Sequence, residues 1–132
     1  MEGGDGFNSI SREAINAAAA VGLVIRPTFA QEEFFLGGMA WERLWLKATV
    51  MDLAIHPLIA PLYLFPRQVY GKNEGLSQAD ALKLKHLRER FLKLWNIPEY
   101  KGEIFLFRLF KTNHTPVRAL RLPLETILST NV

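Results

Sequence analysis

The chain contains no cysteine in its 132 residues. That absence excludes disulfides, thiolate metal sites and a cysteine nucleophile, and it fits a reducing compartment. Charge of one sign is scarce too: 16 Lys plus Arg stand against 13 Asp plus Glu, a net charge of +3. So mild an excess does not argue for nucleic acid. Long hydrophobic runs are also missing. The longest uncharged stretch, Leu53 to Pro66, has 14 residues and contains Pro57, Pro61 and Pro66. A membrane span needs about 20 apolar residues, and prolines at that spacing forbid a continuous helix. The start, MEGGDGFNS, carries neither a basic region nor an apolar run, so no secretory signal is visible. The expectation is a soluble, cytoplasmic protein with no membrane and no nucleic-acid partner.

Self-contained catalytic signatures are absent as well. His56, His86 and His114 are far apart and lack metal-ligand spacing, so no metal site is expected. No G-x-S-x-G, P-loop or G-x-G-x-x-G pattern occurs. The adjacent Glu32 and Glu33 sit in a polar turn and imply no acid/base pair. No catalytic residue is therefore assigned, and any chemistry would belong to a cofactor.

What the chain does have is apolar material: 49% hydrophobic residues, with three Trp, nine Phe and three Tyr. One core is affordable at this length, and a single α+β domain over residues 1–132 is the simplest organisation. Residues Gly37 to Ile55 read as a long buried central helix. Twelve of the seventeen residues from Met39 to Ile55 are apolar, and the charges Glu42, Arg43, Lys47 and Asp52 do not gather on one side. At about 100° per residue, Trp41, Leu44, Trp45, Ala48 and Met51 mark one face, and Leu46, Val50 and Leu53 the opposite one. Burial on two sides implies that a partner chain or a flat ligand supplies the second cover.

Around that helix, residues 1–8 read as flexible, and a short helix capped by Ser9 or Ser11 runs to about Val21, with Gly22 as its stop. Leu23 to Phe29 reads as briefly extended, and Gln31 to Glu33 as a turn. A Pro-punctuated segment covers 56–68, and a loop covers 71–75. Ser77 to Asp80 has capping-box spacing and opens a second, amphipathic helix to about Trp95, with Leu84, Leu87, Phe91 and Leu94 on one face. Its charged residues, Arg88 among them, read as a solvated surface. Asn96 to Gly102 reads as a turn. Glu103 to Phe110 is apolar on both faces except for Arg108, as in a central strand, and Arg108 there needs a partner or an edge. Arg108, Arg118 and Arg121 fall within fourteen residues, with no acidic residue between Glu103 and Glu125. Arginine forks suit phosphate, so these cations are candidate phosphate contacts.

Taken in order, GGMAWERLWLKATVMDLAIHPL, EIFLFRLF and VRALRLPLETIL resemble the second half of the nitroreductase-like FMN oxidoreductases. The long helix in that family reads like G-x-x-x-E-x-x-x-L-x-A-x-x-x-G-L. Gly38, Glu42, Leu46, Ala48 and Leu53 fit it, while Asp52 stands where glycine is usual. Phe107-Arg108-Leu109 matches an apolar-R-apolar strand, and Arg121-Leu122-Pro123 a basic segment at the FMN phosphate. The family's Arg-rich R-x-S-x-R segment has no counterpart in residues 1–30, where Ser11-Arg12 is a fragment. The resemblance covers residues 35–128 and implies a nitroreductase-like half domain, truncated relative to a whole one. It implies a homodimer with FMN at the subunit seam, bound by Arg121, Arg118, Gly37 and Gly38. In a complete domain the implied activity is an FMN-dependent NAD(P)H oxidoreductase acting on a small electrophilic acceptor. Some divergent members are fused to ubiquitin-activating-enzyme-like adenylating domains. The residues also allow another reading, a non-catalytic dimerisation or interaction module without flavin.

Overall fold

A computed structural model describes residues 3–111, together with 122, 123 and 126. The order of elements is α1 (Gly3–Asn16), β1 (Ala20–Arg26), α2 (Gln31–Val50), β2 (Leu53–Pro57), α3 (Ala60–Val69), α4 (Gln78–Trp95) and β3 (Gly102–Lys111). The strands form one antiparallel sheet in the order β1-β3-β2. This is an α+β fold, with β3 central as its two apolar faces required.

The register explains how β3 serves two layers. Val24 lies opposite Phe105 and Ile25 opposite Glu103, so Ile104 is an extra residue in β3. Such a bulge lets consecutive side chains point to one face. Ile104 meets Gly37 of α2, and Phe105 stacks on Trp41 of the same helix. Beyond the bulge, alternation sends Phe107 to α2, while Leu106 lines a groove with α3 and α4. The core is Trp41, Ala48, Phe65, Leu84, Leu106 and Phe107, each buried.

Several boundaries differ from the sequence expectations. The first helix spans Gly3–Asn16, so the segment read as flexible is helical from Gly3, and Ser9 and Ser11 lie inside the helix. Ala20 and Gly22 belong to β1, because pairing with Leu109 and Phe107 overrides the helix propensity of the alanine run. Gly22 is needed there for contact: a Cβ would run into the Phe107 ring. The long helix starts at Gln31, its first turn carrying Glu32 and Glu33 where the helix dipole favours acids. A 2.6 Å ion pair from Arg26 Nε to Glu33 Oε2 ties that turn to β1.

Its end is the larger correction. The helix stops at Val50, and Asp52 adopts a left-handed φ of 53°. Leu53, Ala54 and Ile55 then pair with Lys111, Phe110 and Leu109 as edge strand β2. Pro57 closes β2, where an edge strand tolerates a missing donor. The following prolines do not prevent helix: α3 carries Pro61 near its start and Pro66 inside. By contrast, α4 begins as expected, with Ser77 Oγ accepting from the Asp80 N–H at 3.1 Å. It ends at left-handed Asn96, and the Ile97 N–H donates to the Leu92 carbonyl at 3.1 Å, closing a Schellman turn.

Candidate functional site

The helix α2 is the centre of the candidate site, and its two faces have different fates. Toward the sheet, Gly37 lets Ile104 sit on the helix backbone, a Cβ there falling 2.6 Å from Ile104 Cγ2. One turn on, Trp41 stacks on Phe105 with centroids 3.8 Å apart and planes at 22°. Phe107 and Trp45 lie 5.2 Å and 5.4 Å from the Trp41 ring. Gly37, Trp41 and Ala48 are buried; of the first apolar face, Trp41 and Ala48 are therefore covered, whereas Trp45 and Met51 are exposed, at 47% and 56%.

The opposite face is bare in the single chain. Phe35 is 71% exposed, Leu46 62% and Val50 79%, with Met39 also exposed. Within the chain a three-stranded sheet covers one side only, and the second cover expected from a partner chain or a flat ligand is not supplied by the described residues. These four side chains fall within about 60° of arc, diametrically opposite Gly37 and Ala48 at about 100° per residue. Two predicted cofactor positions separate here. Gly37 is filled by Ile104, so it serves helix–sheet contact and leaves no room for a ligand. Gly38 has nothing within 4 Å of where a Cβ would stand. It is an open notch, flanked along the helix by exposed Phe34, Phe35 and Trp45.

Of the arginine cluster, Arg118 and Arg121 lie outside the described residues, as does His114. Arg108 is partly satisfied, its Nε being buried without a hydrogen-bond partner. Its Nη1 donates to the Ala14 carbonyl at 2.7 Å, and its guanidinium lies 4.8 Å from the Phe110 centroid. That joins α1 to the sheet and leaves Arg108 engaged in structure.

The residue that sequence reasoning missed is Arg88, which was read as part of a solvated face and is 3% exposed. Its Nη2 donates to Glu103 Oε1 at 3.2 Å and to the Glu99 carbonyl at 3.3 Å, and its Nη1 to Glu99 Oε1 at 3.3 Å. Glu103 is 2% exposed. Burial pushes its carboxyl above the ordinary value, against the opposing pull of Arg88 and of its own backbone N–H, while nearby Glu99 adds to the rise. Glu103 Oε2 and Arg88 Nε are buried without partners. The signal was present in the spacing, since Leu84, Arg88, Phe91 and Trp95 follow one helical stripe. The cluster locks the 96–101 turn against α4. Beside it lies a cavity of about 430 Å³ lined by Lys85, Arg88, Glu89 and Glu99 among others, with charges of both signs.

Among the described residues no group of three or more His, Asp or Glu side chains could hold a metal ion, and no helix is long and apolar enough to cross a membrane. The chain is 28% identical over 116 residues to an uncharacterized protein of Mycobacterium tuberculosis (strain CDC 1551 / Oshkosh). That match takes in 86% of this chain and 15% of the relative, so the chain spans a small part of that protein's length. No protein-family model and no solved structure matches the chain.

Proposed function

We propose that the chain is the C-terminal portion of a nitroreductase-like FMN domain, and that its outer α2 face forms the seam with a second copy. The bare stripe opposite the sheet carries this reading. It is close to palindromic about a point between Glu42 and Arg43. In a two-fold antiparallel pairing, Phe35 would face the copy's Val50, and Met39 its Leu46. Such a face is self-complementary in apolarity, as an isologous interface requires.

Two further observations support the flavin part. The position where the family resemblance expects glycine, Asp52, has the left-handed backbone that glycine adopts without strain. Gly38 leaves open space on a helix face that also exposes aromatic rings, which is compatible with a flat ligand there. In this reading Arg121, seconded by Arg118, binds the FMN phosphate with charge-assisted hydrogen bonds. Bound FMN would supply hydride transfer from NAD(P)H to an electrophilic acceptor, in a cytoplasmic setting.

One observation favours the second reading, a dimerisation module without flavin: Gly37, one of the two close-approach glycines, is taken up by Ile104. Two measurements separate the readings. Leu46→Glu should convert a dimer to monomer in sedimentation equilibrium; an unchanged oligomeric state removes the seam from both. FMN titration followed by flavin fluorescence should show binding that Arg121→Ala weakens by about 1.5–3 kcal/mol. A dimer that leaves FMN fluorescence unchanged leaves only the second reading standing.

A further inference from the structure

A groove on the other side of the sheet is independent of α2. It has a volume of about 790 Å³ and lies between α3 and α4 over Leu106 of β3. Phe65, Leu84 and Phe91 line it together with Leu64, Leu87 and Leu94. The helical stripe Leu84, Leu87, Phe91 and Leu94 is thus only half covered by the fold, with Leu87 53% and Leu94 80% exposed. Among the described residues, the only charged ones in its wall are Arg90 and Lys93. They stand three apart on α4, so their side chains share one flank. Both are exposed, and neither is paired with an acidic residue among the described ones. Arg88 of the same helix differs in this respect, being neutralised by Glu99 and Glu103.

We infer that this groove binds an amphiphile with an anionic head, a long-chain carboxylate or phosphate ester. The acyl chain lies along Leu64, Leu87 and Leu94 over the Phe65–Phe91 floor, and the head sits between Arg90 and Lys93. The volume falls within the range of about 300–1,000 Å³ typical of small-ligand sites, and an apolar wall with a few convergent polar groups is their usual composition. The sign of the two cations selects the head: an ammonium amphiphile would meet repulsion at the same place.

The test is calorimetric titration of the full chain with dodecanoate, held below its micelle concentration. Saturable one-site binding is expected. The exposed double variant Arg90→Glu/Lys93→Glu should weaken it by about tenfold or more, as loss of one charge-assisted contact already implies. Leu46→Glu on the outer face of α2 should leave binding unchanged, and dodecyltrimethylammonium should bind at least about tenfold more weakly than dodecanoate. Leu87→Lys, a change at an exposed wall position, should also abolish binding. A free fatty acid and a bilayer lipid share this chemistry, and phosphatidylglycerol vesicles distinguish them. Co-sedimentation lost in the double variant assigns the acyl chain to a bilayer; protein left in the supernatant with dodecanoate binding intact assigns it to a free ligand. Absence of saturable binding, equal affinity for the two head groups, or loss caused by Leu46→Glu and not by the groove variants overturns the inference.

Discussion

Replacing Arg88 by methionine tests whether the ion pair under α4 is a structural lock. The side chains of Arg88 and Glu103 are 3% and 1% exposed, so the change leaves a carboxylate buried with no cation beside it. Removing one partner of such a pair costs about 3–5 kcal/mol, because the remaining charge keeps its desolvation penalty. Domains of this size are stable by about 5–15 kcal/mol, so the loss is a large share of the whole. The pH dependence gives the cause its signature. Burial raises the folded-state value of Glu103 above that of the unfolded chain. The folded state therefore holds the proton more tightly, and stability from this group is fully present below the unfolded value and lost as pH rises through the folded one. Without Arg88 the folded value climbs further, so the deficit of the variant should shrink as pH falls from 8 toward 5. Urea unfolding followed by circular dichroism measures both quantities. The double variant Arg88→Met/Glu103→Leu should recover most of the loss, since no charge is then left to bury. A deficit below about 1 kcal/mol, or one identical at both pH values, would refute the reasoning.

Four substitutions at three positions on or near α2 differ in expected sign. Gly37→Ala drives a methyl group into Ile104 and should destabilise by about 1–3 kcal/mol in the same unfolding assay. Gly38→Ala meets nothing and should stabilise the monomer by about 1 kcal/mol through helix propensity, while weakening any association that uses the notch, as sedimentation would report. Asp52→Gly should be neutral or stabilising by about 1 kcal/mol, because glycine adopts the left-handed backbone without the Cβ penalty, whereas Asp52→Val should lose at least that much. Equal effects at Gly37 and Gly38 would contradict the placement of Ile104.

Several features were legible because their causes are local. The hydroxyl and carboxylate three residues apart at Ser77 and Asp80 are a local signature of a helix start, and α4 begins there. The two apolar faces of 103–110 require cover on both sides, and β3 is the central strand. An arginine in such a strand must be satisfied, and Arg108 reaches the Ala14 carbonyl. The apolar doubling of the long helix was also plain in its residues. Which side the fold would leave bare was not.

Tertiary pairing decided the rest. Leu53 to Ile55 continue the helical period of Trp41 to Val50, and only the left-handed turn at Asp52 and the ladder to Leu109–Lys111 make them a strand. The alanines before Val21 favour helix by propensity, yet hydrogen bonds to β3 outweigh a preference worth about 1 kcal/mol per residue or less. Arg88 carries the charge of a surface residue and the position of a core residue, and its partner Glu103 lies fifteen residues away. Composition and period thus determined the fold class, the central strand and the apolar character of α2. The third dimension decided which face of α2 is covered, which glycine is filled and which arginine is buried, because each of these depends on a contact partner distant in the chain.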